Sequence, residues 1–205
     1  MPTTPQIVHL AVYDTLADWE VGHAAAHVND PSHQREPGRY AVRTVAETAA
    51  PIVTMGGVRI DPDLTLDELD PAASAMLVLA GAHGWMTGGN GAFAEAARAC
   101  LAAGTPVAAI CGATFGLASA GLLDDRAHTS GAAEFLAMSG YAGGERYVDA
   151  PAVRDRGLIT AGPAHPVAFA REILAELDAY APEKLDAWHG LHTTGDPACY
   201  EALVA

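Results

Sequence analysis

The chain is 205 residues long, enough for one domain with a large hydrophobic core. Half of its residues are hydrophobic, and its formal net charge is −14 with only 11 Lys and Arg. That balance argues against nucleic acid and anionic membranes as partners, because both are held chiefly by basic side chains. With no basic leader and no run of about 18 apolar residues, a cytoplasmic chain is expected.

Residues 7–13, IVHLAVY, form a nearly continuous apolar run rich in β-branched side chains, which is how a strand buried on both faces reads. LADWEVGHAAAHV follows with helical spacing, YAVRTVA (40–46) alternates as a second strand, and AMLVLA (75–80) is a third buried run. AFAEAARACLAAG predicts a helix closed by Gly104 as its C-terminal cap. Then come a strand at VAAI, a helix at GATFGLASAG ending at Gly121, a short strand near RAHTS, a strand at LIT (158–160), and an amphipathic helix over HPVAFAREILAELDAY. Residues 182–205 read as a terminal extension of a single domain spanning 1–205, helical over the first half and irregular beyond it. Strands alternating with helices of ten or more residues predict a doubly wound α/β fold: a mainly parallel sheet with helices on both faces. Ligands of such sheets sit beyond the carboxyl ends of the strands.

The three cysteines are too few and too scattered for a disulfide framework. Cys100 reads as a buried helix thiol and Cys199 as incidental. Cys111 stands where the VAAI strand turns into a helix. A tight turn of this kind, a nucleophile elbow, aims its central side chain out of the sheet, and Gly112 and Ala113 leave room for it. The partial positive charge at the start of the following helix favours thiolate, so a depressed thiol pKa is expected. On position alone, a structural thiol behind the sheet is the alternative.

The run AICGATFGLASAGLLDDRAHTS (109–130) resembles the signature of the ThiJ/PfpI superfamily, single-domain relatives of the class I glutamine amidotransferases. DTLADWEVG, LVLAGAHGW and GLITAGPAHPVAFAREILAEL fit that family in the same order, so the resemblance spans about residues 7–180. It implies a flavodoxin-like, amidotransferase-like sheet, and a homodimer. It also implies Cys111 as nucleophile, Glu20 as the carboxyl that hydrogen-bonds it, with Asp18 a weaker rival, and an oxyanion site at Gly81-Ala82-His83 completed by the amide of Gly112. An ionised carboxylate would repel a thiolate, so Glu20 is expected to be protonated, with a raised pKa coupled to that of Cys111. Ala82 replaces the family's second glycine; its amide still donates, because a backbone donor does not depend on its side chain.

The histidines depart from the family pattern. The protease-like branch places histidine directly after the cysteine, where this chain has Gly112. His128 lies in the segment that other branches use, although Ser130 aligns with the position itself. His165, in GPAHP, resembles the element that supplies the base in glutamine amidotransferases, and His83 follows the oxyanion turn. His9 reads as a core histidine. His189 and His192 share a helical face without a third ligand, so no metal is assigned. GGNG (88–91) lacks the strand and the Lys-Ser/Thr of a phosphate loop, so no cofactor is implied.

These residues together imply a cysteine-dependent small-molecule enzyme of the amidase/hydrolase or glyoxalase/hydratase type. Two alternatives use the same residues: a redox or electrophile stress sensor working through oxidation of Cys111, and a non-catalytic amidotransferase-like module.

Overall fold

The computed structural model describes residues 4–205. In chain order its strands are β1 (Gln6–Ala11), β2 (Tyr40–Ala46), β3 (Ile52–Val53), β4 (Arg59–Ile60), β5 (Leu64–Thr65), β6 (Ser74–Leu79), β7 (Val107–Ile110), β8 (Ala152–Asp155) and β9 (Leu158–Ala161). The helices are α1 (Asp18–Asn29), α2 (Gly91–Ala102), α3 (Gly112–Ser119), α4 (Ala133–Ala137), α5 (Pro166–Glu176), α6 (Pro182–Thr194) and α7 (Pro197–Val204). Seven strands form one sheet in the order β5-β2-β1-β6-β7-β9-β8, parallel throughout except for β8. Strands β3 and β4 make a separate antiparallel ribbon.

The apolar runs explain the centre of this sheet. All four residues of β7 and of β9 are buried, as strands covered on both faces must be. Helices α1 and α5 cover one face, with α6 packed on α5 and α7 on α6, while α2 and α3 cover the other. The strand order turns around β1 and β6: β1 lies between β2, which follows it, and β6. The crevice beyond the carboxyl ends of β1 and β6 is therefore the topological switch point, where doubly wound sheets bind ligands.

Helices α2 and α3 end as their glycines predict. Gly104 and Gly121 adopt φ of +82° and +71°, and the amides that follow them return to Cys100 and Leu117. Elsewhere the structure corrects the sequence reading. No strand forms at RAHTS, only an isolated bridge between His128 and Tyr147. Side chains satisfy the backbone there instead: Asp155 Oδ2 accepts from the Ala127 amide and Thr160 Oγ1 from that of Thr129. The irregular tail is also helical. Gly195, at φ +70°, closes α6, and the Asp196 side chain accepts from the Ala198 amide to start α7 with Pro197 in its first turn. Cys199 packs against Gly190, where an added Cβ would lie 2.6 Å from its Sγ, so it belongs to the α6–α7 contact. The edge strand β8 went unread: Arg156 and Gly157, both at positive φ, make the tight turn that folds it back antiparallel onto β9.

Candidate functional site

Three loops at the carboxyl edge of the sheet converge. The β1–α1 connection brings in Glu20, the segment after β6 brings Gly81, Ala82 and His83, and the β7–α3 corner brings Cys111. Two hydrogen bonds tie the first two loops together: Ala17 N–H donates to Gly81 O at 2.9 Å, and His83 N–H donates to Thr15 Oγ1 at 3.0 Å. Behind the turn after β6, Trp85 is buried against Gly116 of α3, and its Nε1–H donates to Ala80 O at 2.8 Å. A Cβ on Gly116 would lie 2.0 Å from that indole, so glycine is what lets α3 come this close. Burying a large apolar side chain contributes about 1.5–3 kcal/mol, which anchors the turn to the helix that starts at Cys111.

Cys111 has φ +57° and ψ −126°, a conformation that costs a side-chain-bearing residue on the order of 1–3 kcal/mol. The surroundings hold it there. Its amide donates to Ala161 O of β9 at 3.1 Å, and its carbonyl accepts from both the amide and the hydroxyl of Thr114. Ser130 sits one step behind, with its hydroxyl 2.7 Å from that of Thr114.

Thiol and carboxyl meet at Gly81. A Cβ there would lie 2.9 Å from Cys111 Sγ and 2.9 Å from Glu20 Oε2, so only glycine leaves space for both groups. Glu20 is fully buried in the first turn of α1, its Oε2 accepts from the Gly81 amide at 2.6 Å, and its Oε1 is buried with no hydrogen-bond partner. Burial raises the Glu20 pKa, although the Gly81 amide and the neighbouring thiol oppose the rise. That agrees with the expectation from sequence. The thiol does not. Burial first, then the negative charge of Glu20, push Cys111 up to about 12 against a smaller opposing effect of the Gly112 amide. The helix N-terminus favours thiolate in the expected direction, but desolvation and the carboxylate outweigh it.

The two amides expected to receive an oxyanion lie close together. A Cβ on Gly112 would be 3.6 Å from Ala82 N and 3.4 Å from Trp85 Cδ1. The Gly81 amide is engaged by Glu20 and that of His83 by Thr15, which leaves Ala82 as the donor of this turn, while the Gly112 amide faces the Cys111 thiol.

The histidines do not join this group. His128 is fully buried, with Nδ1 2.8 Å from Arg126 O and Nε2 3.0 Å from the Tyr141 hydroxyl, so both ring nitrogens are engaged away from Cys111. Burial also lowers its pKa. His83 is exposed and lines a cleft of about 550 Å³ with Tyr13, Asp14, Glu47 and Asn90. His165 is exposed in a different cleft of about 230 Å³ beside Ser130, Asp149 and Pro163. Cys111 lines neither cleft. Asp18 is occupied at the β3–β4 ribbon, where Oδ2 accepts from the Gly56 amide at 2.7 Å. His9 Nδ1 lies 2.8 Å from Ser74 Oγ in the core, and Cys100 is fully buried, with burial pushing its thiol up to about 11, as the sequence predicts for both. The orphaned Oε1 of Glu20 had no signal in the sequence. Among the described residues, no helix is long and apolar enough to cross a membrane.

Comparison with known proteins agrees with the fold and with the run around Cys111. The model of the DJ-1/PfpI family matches residues 6–176. The chain is 36% identical over 200 residues to the uncharacterized protease YoaZ of Bacillus subtilis, covering 96% of this chain and 95% of the relative. It is 32% identical over 180 residues to the uncharacterized protease YdeA of the same organism, covering 85% of each. Among solved structures, a thiJ/pfpI family protein from Bacillus anthracis superposes with a TM-score of 0.91 at 36% identity, covering 99% of this chain and 97% of that one. The DJ-1 superfamily protein Atu0886 from Agrobacterium tumefaciens gives 0.80 at 31% identity, covering 91% and 99%.

Proposed function

The chain belongs to the DJ-1/PfpI family, and from that premise we propose that it is a cysteine-dependent enzyme acting on a small electrophilic substrate. Cys111 is the nucleophile, Glu20 its proton acceptor, working as a carboxylate rather than in the protonated form expected from the sequence, and the amides of Ala82 and Gly112 the oxyanion donors. The supporting observation is that Cys111 Sγ and Glu20 Oε2 both lie 2.9 Å from where a Cβ on Gly81 would be, with Glu20 buried. Both groups have raised pKa values, so the pair rests as a thiol with little standing thiolate. As Sγ bonds to a carbonyl carbon, the thiol proton passes to Glu20 and the π electrons move onto oxygen, towards the two amides. Protonated Glu20 then returns its proton to the leaving group or to the adduct. His128, His165 and His83 carry no step in this reading.

Turnover on a panel of amides, glyoxals and isocyanides tests the proposal. The native chain should turn over at least one class, with loss on Cys111→Ser and on Glu20→Gln. Stoichiometric modification of Cys111 without turnover would overturn it and favour the sensor reading. The buried Oε1 of Glu20, which has no hydrogen-bond partner, supports that second reading as well, since it leaves an acceptor free for the acid of an oxidised Cys111. Trp19, Met55 and Met86 are 52%, 42% and 55% exposed on segments flanking Glu20 and the turn after β6. Such apolar exposure supports a second copy as the cover of this end, and sedimentation of the chain checks it.

A further inference from the structure

His23 and His27 lie one turn apart on α1, and His192 lies on α6. One ligating atom from each falls within 4.8 Å of those of the other two. We propose that these three imidazoles form a divalent transition-metal site, with Zn²⁺ as its ion, that clasps α6 onto α1.

The surroundings prepare the nitrogens for that role. His192 Nδ1–H donates to Trp188 O at 2.8 Å, which fixes the proton on Nδ1 and leaves Nε2 bare. His27 Nδ1 lies 3.2 Å from the Tyr180 hydroxyl, and with Nδ1–H donating to that oxygen its Nε2 is left to ligate. Outer hydrogen bonds of this kind orient and strengthen metal-binding histidines. Trp188, fully buried, packs against all three rings at centroid distances of 4.6–6.0 Å and limits their rotation. All three side chains are half-buried, so solvent and an entering ion reach them. Bonds of 2.0–2.1 Å in a tetrahedron place nitrogens about 3.3 Å apart, so small side-chain rotations close the site. Imidazole donors suit Zn²⁺, Ni²⁺ and Cu²⁺ rather than Mg²⁺ or Ca²⁺. The family model ends at residue 176, so His192 comes from a segment outside it, and the site joins that segment to the family body.

His192 was paired in the sequence with His189 on its own helix, but the fold sets it against His23 and His27 instead. The third ligand is distant in the chain and only the packing of α6 supplies it.

Calorimetric titration of metal-stripped, tag-free protein with ZnCl₂ tests the proposal, with thermal melts in parallel. One equivalent should bind and raise the melting temperature. His23→Ala and His192→Ala should each weaken binding at least tenfold, the double variant should lose the thermal shift, and Cys111→Ser should bind as the native chain does. The metal-free melts report whether each variant folds, and His27, wedged between Trp188 and Tyr180, is left intact. Absence of binding at 100 µM Zn²⁺, binding that survives the double variant, or binding lost with Cys111→Ser would each overturn the site.

Discussion

Helix α1 serves two clusters of titratable groups that are built in opposite ways. Its first turn buries Glu20 against Cys111, and later turns set His23 and His27 against Trp188 and His192. At the thiol corner the space is made by what is missing: glycines at 81, 112 and 116 let backbone, thiol, carboxyl and indole approach, and strain is stored at φ +57°. At the histidine seam the space is filled by rings, with ordinary helical backbone on both sides. A strained corner that sets one nucleophile beside one acid suits bond-making, whereas a relaxed seam of neutral rings suits holding.

Several substitutions would break or sharpen that contrast. Cys111→Ser should reduce turnover on the order of a thousandfold or more while leaving thermal stability nearly unchanged, measured by steady-state kinetics and melting. Gly116→Ala drives a methyl into Trp85 and should cost about 1–3 kcal/mol in denaturant unfolding. Cys111→Gly should abolish turnover yet raise stability by about 1 kcal/mol, because glycine relieves the strained φ. A fall or no change in stability would show the corner is not strained. His23→Ala, at the seam, should leave turnover intact and cost under about 0.5 kcal/mol in metal-free protein, as expected of a half-exposed side chain.

Glu20 gives a pH test with a definite sign. Its folded pKa lies above the ordinary 4.5, so the folded state holds the proton more tightly than the unfolded state. The stability this contributes is full below 4.5 and is lost as pH rises through the folded value. Glu20→Gln should remove that part of the decline, measured by denaturant unfolding from pH 4 to 8.

Much of this was legible in the residues. The apolar runs at 7–13, broken only by His9, and at 75–80 and 107–110 read as strands covered on both faces, and the glycine caps at 104 and 121 fixed where α2 and α3 end. The Cys111–Glu20–Gly81 group was legible through the family-like run and its neighbours. What was not legible depended on competing energies or on distance. The direction of the thiol pKa turned on burial and on a carboxylate outweighing a helix N-terminus. The place of His128 turned on Tyr141 and the Arg126 carbonyl capturing its ring. Helix α7 was missed although Gly195 and the Asp196-Pro197 pair spell a stop and a start.

The most direct test of the account is the rate of alkylation of Cys111 against pH, followed by peptide mass mapping, in the native chain and in Glu20→Gln. The account predicts a native thiol that titrates well above the usual thiol range and a variant whose titration moves down, with alkylation at pH 8 several-fold faster, because the repelling carboxylate is gone while burial remains. An identical profile in both proteins, or a native thiol already ionised at neutral pH, would contradict the shared-proton pair on which the proposed chemistry rests.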